Sequence, residues 1–149
     1  MYRRILLALD HTETDKVLLT HIPVLARLLG SELLLLHVAD GWVARNFDQL
    51  QLAPSEEMRE DWEYLEGIAA RLREETSLTV TTRLAVGNPP TQIVIAAEKE
   101  QCDLIAMVSH GHNLIGDILH GSTIDPVRHN SKVPVLALPA GSPPPSTDQ

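Results

Sequence analysis

The chain predicts an α/β fold, a five-stranded, mostly parallel sheet with helices on both faces in a Rossmann-like three-layer α/β/α arrangement. Three observations predict it. Short continuous apolar runs, RILLAL (Arg4–Leu9), ELLLLHV (Glu32–Val38), DLIAMVS (Asp103–Ser109) and VPVLALP (Val133–Pro139), read as strands buried on both faces. Segments of helical period stand between them. Strand and helix then alternate along the chain, which calls for parallel strands joined by right-handed crossovers.

The first run ends at Asp10, far short of signal-peptide or membrane-spanning length. From Thr14 to Leu29, the residues Val17, Leu18, Ile22, Leu25, Leu28 and Leu29 recur at helical spacing, and Gly30 stands where a helix end favours glycine. Pro23 lies inside that pattern and should kink it, because it deletes one backbone bond and crowds the preceding turn. After the second strand, Ala39–Pro54 is a long connection without a clear period, carrying Trp42 and Phe47. From Ser55 onward, Met58, Trp62, Leu65, Ala69 and Leu72 form one stripe, which assigns Trp62 to the core. Glu56 and Glu57 favour the start of that helix.

LTVTTRLAV (Leu78–Val86) alternates and is rich in Thr and Val, as suits a less buried strand. Asn88 is expected to cap the next helix, with Pro89 in its first turn. The last helix is expected to begin near Ser122, since Ser122 and Asp125 have capping-box spacing and Pro126 falls in the first turn. Residues 1–140 form one domain. The Pro- and Ser-rich stretch 141–149 is expected to be a disordered tail.

Composition narrows the function classes. A chain of 149 residues with 44% hydrophobic and 21% charged residues fits one soluble domain with its own core. A net charge of −8 argues against nucleic-acid or anionic-membrane partners, because no basic patch can displace counterions. The single cysteine, Cys102, allows no internal disulfide and fits a reducing compartment. The chain reads as a cytoplasmic protein.

Chemistry concentrates in VSHGHNLIGDILHGST (Val108–Thr123). A glycine after a strand lets the backbone approach a ligand, and a glycine at a helix start exposes N–H groups to an anion. Gly111 and the Gly121-Ser122 pair fit these roles, although a plain turn and cap would produce the same residues.

With these residues in view, the whole chain resembles the universal stress proteins. Their nucleotide-binding members carry Gly, two residues, Gly, nine residues, then Gly with Ser or Thr. Gly111, the nine-residue spacer and Gly121-Ser122 match, as does SHG (Ser109–Gly111). RRILLALD resembles the family's first strand, LLLLHV the second, VGNPP the turn after the third and VPVLAL the last, so the likeness spans about Tyr2 to Leu138.

The resemblance implies an adenine nucleotide alpha hydrolase-like fold that binds ATP or AMP, with Mg²⁺ accompanying the nucleotide. It implies that Ala8, Asp10 and Val38 serve the nucleoside and that Met107 and the backbone at Val108 line the wall beside the ribose. Gly111, Gly121, Ser122 and Thr123 would cradle the phosphates, and the last strand, Val133–Leu138, would pair across a two-fold axis in a homodimer.

Two departures stand out. Val108 replaces the motif's first glycine, and its side chain would crowd a nucleotide if it pointed into the crevice. His11 follows Asp10 where a small residue is common. The spacer also lacks lysine and arginine, which leaves His110 and His112 as the candidate cations of a phosphate loop.

His110 and His112 have no recognised ligand spacing, so no metal site is expected from the protein alone. His37, inside an apolar strand, reads as a hydrogen-bonded core residue, while His21 and His129 read as helix-surface positions. No nucleophile elbow accompanies Ser109, and Cys102 reads as a packing residue. The expectation is therefore a stress-response or regulatory nucleotide-binding protein without assigned catalytic residues, hydrolysing ATP slowly at most. The alternative is a nucleotide-free dimeric interaction module.

Overall fold

The computed structural model describes residues 1–39, 56–110 and 123–146. Within these lie β1 (Arg4–Leu9), α1 (Asp15–Leu29), β2 (Glu32–Ala39), α2 (Glu56–Thr76), β3 (Val80–Val86), α3 (Pro89–Lys99), β4 (Leu104–Ser109), α4 (Ile124–Asn130) and β5 (Val135–Pro139). The strands form one sheet in the order β3-β2-β1-β4-β5, and each adjacent pair is parallel. The expected α/β class is the observed one. Most of the long connection after β2 lies outside the described residues.

The apolar runs become strands with two covered faces. Ile5, Leu7 and Leu9 join Leu33 and Leu35 on one face, under α1 and α2. Leu6, Leu34 and Leu36 join Ile105 and Met107 on the other, under α3 and α4. A run of leucines can thus feed both cores at once, which is why these strands do not alternate in hydrophobicity.

Local chemistry ends the helices. Gly30 closes α1 in the left-handed region at φ 68°, its N–H donating to the Ala26 carbonyl. Asn88 caps α3 by accepting the Thr91 N–H at 3.2 Å, and Pro89 opens the first turn. The last helix starts at Ile124, later than expected, and Thr123 precedes it without a side-chain cap bond. Ser122, half of the expected capping box, lies outside the described residues.

The expectation for Trp62 is corrected. Trp62 is 45% exposed, and Asp61, at 7%, takes the buried position on α2 with Leu65, Ile68, Ala69 and Leu72. Both residues sit one turn before Leu65, at i−3 and i−4, so spacing alone does not choose between them. Beneath α2 lie two imidazoles, His11 and His37, which match a carboxylate and not an indole.

One carboxylate fastens the start of the central strand. Asp103 accepts the N–H of Arg3 at 2.8 Å and of Arg4 at 3.0 Å, and its own N–H donates to the Arg4 carbonyl at 2.9 Å. Burial raises its pKa, but the two backbone donors outweigh that and hold it below the usual carboxylate range.

β5 forms one sheet edge. Ile105 donates to the Pro134 carbonyl and Ala140 donates to the Ser109 carbonyl, each at 3.0 Å. Even-numbered residues of β5 therefore point their backbone groups toward β4, and Val135 and Ala137 point theirs outward.

Candidate functional site

The strand order reverses between β1 and β4, and there the carboxyl ends of the two strands part. A cavity of about 130 Å³ opens at this point, with room for one compact group such as a nucleobase or a ribose. Ala8 and Asp10 enter it from β1, Val38 from β2, Met107, Val108 and His110 from β4, and Thr123 from the approach to α4. Each of these is a residue the sequence singles out. Gly111, His112, Gly121 and Ser122 lie outside the described residues.

The cavity also has an apolar wall that sequence reading does not mark. Leu36 from β2, Pro89 and Ile93 from α3, and Ile124 from α4 contribute to it. These residues look like ordinary core and cap positions in sequence, because only the tertiary arrangement turns α3 and α4 toward the strand ends. The available signal was VGNPP, which places the start of α3 after a strand end.

The orientation of Val108 follows from strand alternation. Leu104, Ala106 and Val108 pack with the α1 and α2 side of the core, whereas Ile105 and Met107 pack on the α3 and α4 side. Val108 is 8% exposed, so its isopropyl group is committed to packing behind the crevice. Met107 presents its side chain on the crevice side.

Asp10 stands at the cavity mouth. Partial burial and the neighbouring Asp15 push its carboxyl above the usual range, while His110 and His37 pull the other way. With the side chain 59% exposed, solvent screening keeps that rise modest. His110 Nε2 lies 3.6 Å from Asp10 Oδ2, and its buried Nδ1 has no hydrogen-bond partner among the described residues. A ring nitrogen left in this state is one a bound polar ligand can satisfy.

The turn that presents Asp10 is held from behind. Asp15, buried at the start of α1, accepts the N–H of Asp10 and of His11, each at 2.8 Å. Tyr64 of α2 donates its hydroxyl to Asp15 Oδ2 at 2.7 Å and stacks on the His11 ring at 3.9 Å between centroids. Burial, then that bond, push the Tyr64 phenol well above the ordinary range. His11 Nδ1 donates to Asp61 Oδ1 at 2.6 Å. His37 Nδ1 donates to the Leu9 carbonyl at 2.8 Å, as expected of a hydrogen-bonded core histidine, and its Nε2 lies 3.4 Å from Asp61 Oδ2.

Among the described residues, no three His, Cys, Asp or Glu side chains converge on a metal position. Cys102 is buried, which pushes its thiol up to about 11 and keeps it protonated. No described helix is long and apolar enough to cross a membrane.

A model of the universal stress protein family matches residues 1–139. Universal stress protein MJ0577 of Methanocaldococcus jannaschii is 32% identical over 93% of this chain and 95% of its own length. The solved structure of MJ0577 matches with a TM-score of 0.76 over 93% of this chain and 96% of that one. A universal stress protein in complex with cAMP shares the fold at a TM-score of 0.72, 18% identity, and coverage of 94% and 98%. So does the universal stress protein of Archaeoglobus fulgidus in complex with dAMP, at 0.66, 21% identity, and coverage of 91% and 97%.

Proposed function

Because the chain belongs to the universal stress protein family, we propose that it is a cytoplasmic stress-response protein that binds an adenine nucleotide, ATP or AMP, in the crevice between β1 and β4. One observation carries this reading. The cavity lies at the topological switch point, and it combines an apolar wall with a carboxylate and an unsatisfied imidazole at its mouth. The relatives in complex with cAMP and dAMP support an adenine nucleotide over other ligands.

In this reading the base and ribose lie against Ala8, Val38 and Met107, and Asp10 accepts from a ribose hydroxyl. The phosphates extend toward Gly111, Gly121, Ser122 and Thr123, with His110 and His112 as neighbouring cations. Among the described residues, Asp10 and Thr123 are the pocket oxygens that would stand near a Mg²⁺ accompanying the nucleotide. When bound, the ion offsets phosphate charge. No residue is assigned to catalysis, and turnover of ATP is slow if it occurs.

The same family membership supports a homodimer through Val133–Leu138. The outward N–H and C=O groups of Val135 and Ala137 give the edge a physical means of pairing. Nucleic acid and membranes are not partners in this reading.

Calorimetric titration with AMP and with ATP plus Mg²⁺, together with mass spectrometry of nucleotide released on denaturing the purified protein, tests the proposal. Micromolar to millimolar binding that weakens in Asp10→Asn supports it. Absence of both carried-over nucleotide and binding heat removes it.

A further inference from the structure

We propose that Asp61 of α2 is a positioning residue for the crevice, acting through a charged His37 to hold the turn that presents Asp10. This rests on the nucleotide reading above and extends it to side chains on the opposite face of the sheet.

The hydrogen-bond inventory of His37 carries the inference. The Leu9 carbonyl can only accept, so His37 Nδ1, 2.8 Å away, carries a proton. Nε2 then faces Asp61 Oδ2 at 3.4 Å. In a neutral ring that nitrogen would point a lone pair at a carboxylate. In the imidazolium it bears a proton, and the contact becomes an attractive ion pair. Asp61 is buried, so its charge requires partners, and among the described residues these are His37 and the Nδ1–H of His11.

These contacts converge on three consecutive residues. His37 holds the Leu9 carbonyl, Asp15 holds the N–H of Asp10 and of His11, and Asp61 with Tyr64 holds the His11 ring. The turn needs holding, because His11 sits at φ 61°, a left-handed conformation that is unfavourable for a residue with a side chain. If the His11 ring is released, the turn can relax and Asp10 moves with it.

Charged groups surround His37. Asp10 and His11 face it from the end of β1 and Asp61 from α2, Asp15 and Tyr64 stand behind that turn, and His110 stands beyond Asp10 at the end of β4. Arg71 acts on Tyr64 from further along α2, and the position paired with His37 on β3 is the uncharged Leu84. Three carboxylates thus meet three imidazoles, and a proton on His37 offsets part of the excess negative charge.

The test reads His37 directly. Long-range ¹H–¹⁵N spectra of the wild type at neutral pH are expected to show His37 protonated at both ring nitrogens. In Asp61→Asn it is expected to be neutral at the same pH. That variant is expected to bind AMP roughly three- to tenfold more weakly, and Asp61→Glu should recover part of the affinity. A neutral His37 in the wild type, or wild-type affinity in Asp61→Asn, overturns the proposal. Should Asp61→Asn fail to fold, the wild-type spectra and the affinity of the Asp61→Glu variant decide. A wild type that binds no AMP removes the nucleotide reading itself, a result separable from unaltered binding in the variants.

Discussion

Met107 and Val108 are neighbours on β4 with opposite commitments, Met107 to the crevice side of the sheet and Val108 to the core behind it. Replacing Val108 by glycine therefore restores the family's motif without clearing space for a nucleotide. AMP affinity of Val108→Gly, measured by calorimetry, is expected to stay within about twofold of wild type. Stability is expected to fall by about 2–4 kcal/mol, because a buried branched side chain is lost and the backbone gains freedom. Tightening by an order of magnitude in denaturant-free buffer would mean the isopropyl group does obstruct the site.

Asp10 should give nucleotide binding an acid limit. Its carboxyl is raised in the free protein, and a ribose hydroxyl donating to it would favour the ionised form. Binding then releases a proton in the acidic range, so affinity for AMP should rise with pH through the Asp10 titration and level off above it. Asp10→Asn should bind more weakly and lose that acid dependence. Titrations at several acidic pH values, in buffers of different ionisation enthalpy, would count the released protons; a count of zero in the wild type would take Asp10 out of the contact.

At the other end of β1, Asp103 contributes stability that depends on pH. Its folded pKa is depressed, so its contribution is present above the unfolded value near 3.9 and is lost as pH falls through the folded one. Asp103→Asn should cost about 1–3 kcal/mol near neutral pH, since two backbone N–H groups lose a charged acceptor. The cost should shrink in acid. Urea melts at neutral pH and at about pH 3 check this, and a cost independent of pH would contradict the assignment.

The dimer proposal is best tested at Ala137. Val135 packs against the core, so a charge there would unfold the protein before it informed on assembly. Ala137 is exposed on the edge strand, and its N–H and C=O point outward. Sedimentation of Ala137→Lys should show a shift toward monomer, with the thermal midpoint of the monomeric fold little changed. A wild type that sediments as a monomer at micromolar concentration would end the proposal.

Much of the fold was legible because it is written in local patterns. The run RILLAL delimits β1 to the residue, and Gly30 and Asn88 mark helix ends through their own backbone chemistry. Residues of the crevice that belong to a contiguous motif were legible as well, by resemblance. What was not legible depends on pairing across the chain. Trp62 and Asp61 are equally spaced for burial, and the choice is made by imidazoles contributed from 50 residues away, at His11, and from the adjacent strand. The apolar wall of Pro89, Ile93 and Ile124 is likewise invisible until two helices are laid beside the strand ends.

β1 is the middle strand of the sheet, yet its two neighbours arrive at very different times. β2 follows within one helix, whereas the anchor at Asp103 is separated from Arg3 by 100 residues. On a ribosome, the flank of β1 that will receive β4 waits for 100 further residues to be made, and β1 and β2 cannot close the sheet by themselves. Contacts of such long sequence separation form late in folding. The crevice opens at that seam, so its walls come together only once β4 and α4 have been made and have docked on β1.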